Sequence, residues 1–344
     1  TINQSSPGLI TINTTGDQTY NDSVVLNVNG TAFVSTGLSG AAITFGGTVN
    51  SQATQMNNLT VVTSGATTFA ADVGRATDGQ LGTLTTDALG TTTVMADVQT
   101  QTTQTYNDAV IISGTVNLIG ATGIFAVSLN GDGDMDDNLT LSFSGVMPGE
   151  ETLLDVAGLG LGMLHSLTTG AGGETHINGM LTTTGSQTYN DEVVIIGDSV
   201  LAGTDVAFNN ILNADDTAMD RTLLINGSGT TTFGGIVGGN QQLESLATDA
   251  NGTTSIGADI TTAGASITFA DDVTLTASVT ITELGTGDVT FAKTLGANTA
   301  GMETLSVDTS AMGGDVVFGG VVGAGGTTTL GSLTTTTGGG FTVV

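Results

Sequence analysis

Cysteine is absent from the 344 residues, so the chain has neither disulfides nor thiolate metal sites, and redox usage gives no clue to compartment. Lysine and arginine number 3 against 32 Asp plus Glu, a formal net charge of −29. With so few cations there is nothing to neutralise phosphates, and nucleic acid is excluded as a partner. Nor can three cations pair the carboxylates internally. The acids are expected to be solvated and spread over the surface, where they favour solubility, with bridging by metal ions as the competing reading. Proline occurs twice, and aromatic residues make up only 4%. Only 10% of residues are charged while 38% are hydrophobic, which argues against disorder despite a low-complexity appearance. No apolar run reaches membrane-span length. The best, residues 153–164, is broken by Asp155 and several glycines, so no membrane span is expected. No sustained i, i+3, i+4 apolar stripe with caps is found either, which leaves helices incidental. The chain opens on Thr1 with no charged leader, which suggests a processed or excerpted product and an extracellular location.

What the chain does contain is repetition. The pentapeptide Gln18-Thr19-Tyr20-Asn21-Asp22 returns unchanged at 104–108 and 187–191, about 86 and 83 residues apart. Within this long repeat runs a shorter one. A single aromatic before a small-small-x-apolar tail recurs at Phe45, Phe69, Phe208, Phe233, Phe269, Phe291 and Phe318, with neighbours mostly about 22 to 27 residues apart. A leucine-rich block alternates with it at 81–87, 164–169, 243–249 and 330–335, and a Gly-Thr-Thr block follows at 90–98 and 252–260.

In 64–73 and 265–275 apolar side chains alternate with Thr, Ser or Asp, which places one set inside and the other in water. Thr and Val dominate, and both are β-branched and suit a pleated surface. Three such strands form one coil of a winding sheet. A unit of about 24 residues buries its apolar face only when stacked on copies of itself. The expectation is therefore an all-β chain, a parallel β-helix or β-solenoid over 1–344 with roughly 14 coils of about 24 residues, a rod on the order of 65 to 70 Å at the usual strand spacing. Its long repeats are 16–101, 102–184 and 185–344. The 53 glycines are expected at corners, and the aromatics at one inward position where rings of successive coils stack.

Both ends read as open rungs. Leu9, Ile10 and Ile12 belong to a short alternating first strand, with Pro7 placed to blunt its edge. Phe341, Val343 and Val344 begin another aromatic block that stops short. The implied partner is the chain itself, in a head-to-tail polymer extended by strand addition.

The combination of TTxGxQTYNDxV, TTFGGxVGG and LxSLTTDAxGTTxI resembles the β-strand repeats of bacterial filamentous-haemagglutinin-like exoproteins and surface adhesins. The resemblance covers nearly the whole chain. It implies a right-handed parallel β-helix, export across the outer membrane, and a role as a surface fibre or adhesin in contact with a host or neighbouring-cell surface.

Few residues offer chemistry. Asn130, Asp132, Asp134, Asp136 and Asp137 place oxygen side chains in a pattern resembling a calcium loop. Met135 and Leu141 occupy the glycine and bidentate-glutamate positions of the helix-loop-helix pattern, so a solvated corner loop is the competing reading. Calcium at this loop is the one cofactor expected. Asn21-Asp22 and its copies read as turn-forming pairs, and the three tyrosines as core rings with a hydroxyl reaching the rim. Chemistry needs one constellation, whereas this motif repeats with the scaffold. His165, His176, Arg75, Arg221 and Lys293 are scattered over different coils, which disfavours a polysaccharide lyase and leads us to expect no enzyme. Rows of threonine such as 274–282 suggest a water-ordering, ice-binding face, but the insertions at 129–152 and 209–222 would interrupt it. The expected function is that of a structural extracellular solenoid, a filament subunit or the shaft of a larger adhesin.

Overall fold

A computed structural model describes residues 9–37, 40–134, 136–145, 152–156, 164–215, 220–323 and 328–344. Pro7, Met135 and most of the 153–164 run lie outside these residues. Every named element is a β-strand and every strand pairing is parallel. The chain is a β-solenoid of about 13 turns of about 23 residues. Coil length varies, from 18 residues where Thr91 lies opposite Ala109 to 29 where Ile124 lies opposite Leu153. It divides into two compact units, 1–175 and 176–344.

In the first unit each coil contributes a strand to three faces. One face runs through Ile10–Thr14, Thr31–Ser35, Leu59–Thr63, Leu84–Thr86, Thr103–Tyr106 and Thr122–Phe125. The second runs from Gln18–Tyr20 through Ile43–Phe45, Ala66–Phe69, Thr91–Val94 and Ala109–Ile112 to Ser128–Gly131. The third begins with Val24–Leu26 on Val49–Ser51 and continues through Val73 and Val98 to Thr115–Gly120 and Asn138–Phe143. The second unit repeats the scheme. One of its faces carries Gln187–Tyr189, Val206–Phe208, Thr230–Phe233, Thr253–Ile256 and Asp272–Leu275.

Strict alternation produces these faces: Thr31–Ser35, Leu59–Thr63 and Thr304–Thr309 bury every second side chain. The inward residues form columns in which like sits on like. Tyr20, Phe45 and Phe69 stack at 5.3 Å intervals with rings 7 to 14° from parallel. Tyr189, Phe208 and Phe233 do the same at 5.2 and 5.8 Å, and Phe269, Phe291 and Phe318 at 5.3 and 5.4 Å. The tyrosine of the pentapeptide thus belongs to the same stacks as the phenylalanine series, although the two read as separate motifs in the sequence.

The stacks do not stay on one face. Tyr20 and Tyr106 lie on different faces of the first unit, as do Phe233 and Phe269 of the second. A long repeat of about 86 residues over coils of about 23 is not a whole number of turns, so each copy of the motif falls on another face.

The glycine of the Gly-Thr-Thr block has a steric cause. Gly90 and Gly252 adopt φ of 83° and 75°, and a Cβ on either would lie within 2.0 Å of the carbonyl oxygen of Gly65 or Gly229 on the preceding coil.

Candidate functional site

The recurring pentapeptide is a corner clamp. Gln104 is fully buried, and its Nε2 donates to the carbonyls of Val98 (3.2 Å) and Ile119 (2.9 Å), while its Oε1 accepts from the Tyr106 hydroxyl (2.9 Å). Gln187 repeats this on Leu181, Ala202 and Tyr189, and Gln18 on Ile12, Val34 and Tyr20. The amide ties together the carbonyls of two chain segments that meet at the corner, sharing Ile119 O with the Thr100 N–H and Ala202 O with the Thr183 N–H. The hydroxyls of Tyr106 and Tyr189 therefore do not reach the rim, because each ends on a buried glutamine. Burial pushes both phenols well above their ordinary pKa.

Of the motif's three aspartates, Asp22 is the exposed turn residue expected, whereas Asp108 and Asp191 are buried. Asp108 is 2% exposed and accepts the hydroxyls of Thr86 (2.8 Å) and Thr92 (2.8 and 3.0 Å). Asp271, in a segment where the pentapeptide is absent, makes the same bonds to Thr248 and Thr254. In both cases the first threonine lies in the inward column directly before an aromatic ring, Tyr106 or Phe269. The carboxylate two residues beyond the ring thus joins the leucine-rich block, the Gly-Thr-Thr block and the start of a new stack. The threonine pair six residues apart with an aspartate 16 or 17 later was the available signal. Glu283 is a further buried acid, accepting the N–H groups of Gly264 (3.1 Å), Gly285 (2.9 Å) and Gly287 (3.1 Å).

Burial raises the pKa of Asp108, Asp271 and Glu283 against the lowering effect of these hydrogen bonds. Each therefore holds a proton more tightly folded than unfolded, and its contribution to stability is fully present below the unfolded pKa and lost as pH rises through the folded one. The melting temperature is expected to rise as pH falls from 7 into the range just above the ordinary carboxylate pKa of about 4. The paired variant Asp108→Asn/Asp271→Asn should shrink that gain. A melting temperature that falls steadily from pH 7, or an unchanged gain in the variant, would count against the assignment.

Many remaining acids are tethered rather than merely solvated. Asp97 accepts the N–H of Asn117, Asp205 that of Thr230, Asp259 that of Thr280 and Asp288 that of Asp315, all at 2.7 to 2.9 Å and each one coil further on. Asp87 and Asp249 reach back one coil to Thr63 and Gly227. A carboxylate here replaces the carbonyl that a continuous strand would offer, so part of the acid excess serves corners. The cations are committed too. Arg75 lies 3.4 Å from Asp97, Arg221 2.8 and 2.6 Å from Asp215 and Asp220, and Lys293 donates to the Ala250 carbonyl.

Of the acidic-loop residues, Asp132, Asp134 and Asp137 bring carboxylate oxygens within 4.8 Å of one another, and among the described residues this is the one such group of three His, Asp or Glu side chains. Asp137 is fully buried and uses both oxygens on backbone N–H groups, those of Gly114 and Asp132 (2.8 Å each). Asp132 caps Asp134, and Asp134 caps Asp136. The Ser113 hydroxyl holds Asp132 below the usual carboxylate range, whereas the hydrogen bond and charge of Asp134 raise Asp136. Asp136 is exposed outside the group, and Asn130 lies half-buried in Ser128–Gly131. Leu141 is a core residue. The three converging carboxylates have the spacing that a hard divalent cation bridges, but one of them already anchors the loop.

At the ends, Ile10 is buried while Leu9 is 75% exposed, and Ile12 is half-buried. Phe341, Val343 and Val344 are 72%, 44% and 97% exposed. Because Val317 pairs with Val343, the next residue, Val344, falls in the column of Phe318. Among the described residues no helix is long and apolar enough to cross a membrane. No family model, curated protein or solved structure matches the chain.

Proposed function

We propose that the chain is a structural, extracellular β-solenoid that assembles head to tail into a filament. The observation that carries this reading is the C-terminal rung. Residues 332–344 contain no charged side chain in a chain of net charge −29, and Leu333, Phe341, Val343 and Val344 are exposed there, with Leu333 and Val344 in register with the inward columns of Leu305 and Phe318. This is a surface on which like-charge repulsion does not oppose association of two copies. Among the described residues, the Ile10–Thr14 and Gln18–Tyr20 strands each pair on one side only, with Thr31–Ser35 and Ile43–Phe45. They offer free ladder groups for a parallel rung. The recurring residues that invite a chemical reading are consumed by the scaffold, and the motif resemblance to filamentous-haemagglutinin-like repeats points the same way.

Electron microscopy of the purified chain at micromolar concentration, with calcium and with a chelator, tests this. Filaments are expected, and Phe341→Asp/Val344→Asp should abolish them by placing charge in the junction. Single particles under every condition would sink the filament and favour the shaft of a larger adhesin. Loss of filaments on chelation alone would give the Asp132, Asp134 and Asp137 loop a role in assembly.

A further inference from the structure

Three non-glycine residues among those described have a left-handed backbone: Thr54 (φ 68°), Met56 (φ 49°) and Asp78 (φ 58°). All three line a single cleft of about 380 Å³ on the first unit, together with Arg75, Gln80 and Gln99. Such conformations are uncommon for residues bearing a Cβ, most of all a β-branched one, and persist only where the surroundings enforce them. Here the two loops enforce each other: the Thr54 N–H donates to the Asp78 carbonyl (2.9 Å), and the Ala76 N–H to Asn50 Oδ1 (3.1 Å).

The solenoid does not require the strain at Asp78. The same corner recurs in the second unit, where Val237 and Gly238 stand as Val73 and Gly74 do in the first. Both glycines have nearly the same φ (68° and 67°), and a Cβ on either would lie 2.1 Å from a carbonyl oxygen of the next coil, Gln99 or Thr261. Beyond Gly238 the chain passes through Gly239, Asn240, Gln241 and Gln242 without a further left-handed residue. The strained Asp78 is thus particular to the cleft, as at sites where backbone strain serves ligand binding.

The groups in the cleft select the ligand class. The Arg75 guanidinium is compensated by Asp97 (3.4 Å) and bonded to Gln99 Oε1 (3.1 Å), so it offers little net attraction to an anion, which the charge of −29 also repels. A metal cation finds a single carboxylate in the lining, that of Asp78, where a hard divalent ion takes six to eight oxygens. The remaining lining combines the hydroxyls of Thr54 and Thr77, the amide of Gln80, the carboxylate of Asp78 and the exposed thioether of Met56. That set suits a neutral molecule bearing both donors and acceptors on an apolar frame, and the volume is at the small end for ligand sites. The geometry points to a binding site for one or two rings of a neutral saccharide.

Saturation-transfer difference NMR on the full chain tests this with glucose, galactose, lactose, cellobiose and N,N′-diacetylchitobiose as probes. At least one is expected to give a saturable signal with a dissociation constant of about 1 mM, a weak affinity in keeping with a small open site. Asp78→Gly and Met56→Gly keep the left-handed backbone available, relieve its strain, and remove only the side chain. Each should weaken binding by about tenfold, equivalent to about 1.4 kcal/mol, without lowering the melting temperature. Asn240→Gly in the unstrained corner should leave binding unchanged. The site is overturned if no probe gives a saturable signal, if both cleft variants bind as the parent does, or if Asn240→Gly weakens binding equally.

Discussion

Phe45→Ala is expected to destabilise the first unit by about 4 to 5 kcal/mol, the upper end of the range for truncating a buried ring. Phe45 is fully buried and touches three other rings: Tyr20 and Phe69 stacked at 5.3 Å, and Phe33 edge-on at 5.0 Å. Removing it leaves a cavity between coils that the parallel ladders prevent from collapsing, and it strips a partner from each neighbour. Phe318 makes one ring contact, with Phe291 at 5.4 Å, and Phe318→Ala should cost about 2 to 3 kcal/mol. Urea denaturation followed by hydrogen exchange measures both. In a solenoid, contacts run mainly between neighbouring coils, so exchange should accelerate first in the coils flanking residue 45. Equal costs for the two variants would show that ring stacking is not what distinguishes the positions.

Gln104→Leu should cost about 3 to 5 kcal/mol despite replacing a polar core residue by an apolar one of similar size. The loss arises from what stays behind: the Val98 carbonyl, a share of the Ile119 carbonyl, and the Tyr106 hydroxyl, which is fully buried with no access to water. Tyr106→Phe removes only the hydroxyl and should cost about 1 kcal/mol. The double variant Gln104→Leu/Tyr106→Phe should then be less destabilised than the sum of the singles, because the orphaned phenol is gone. Strict additivity in thermal melts would mean that glutamine and tyrosine act independently, contrary to the clamp.

These two sites mark where the sequence suffices. Alternation in 64–73 and 265–275, β-branched composition and spacing of the phenylalanines were enough to establish parallel coils, an inward aromatic column and the approximate coil length, because a period of two and a period of about 23 are one-dimensional properties. The acidic loop was legible for the same reason, as it is contiguous. Only the tertiary structure decided which residues meet across coils. Asp108 reads as a turn residue beside Asn107, yet its partners are Thr86 and Thr92 on the coil before it. Gln104 is marked in the sequence only by its recurrence, yet it spans two corners. Coil length varies from 18 to 29 residues, so the position lying above a given residue depends on every insertion between them. The burial of a polar side chain then depends on its partner one turn away, a relation that local pattern does not carry.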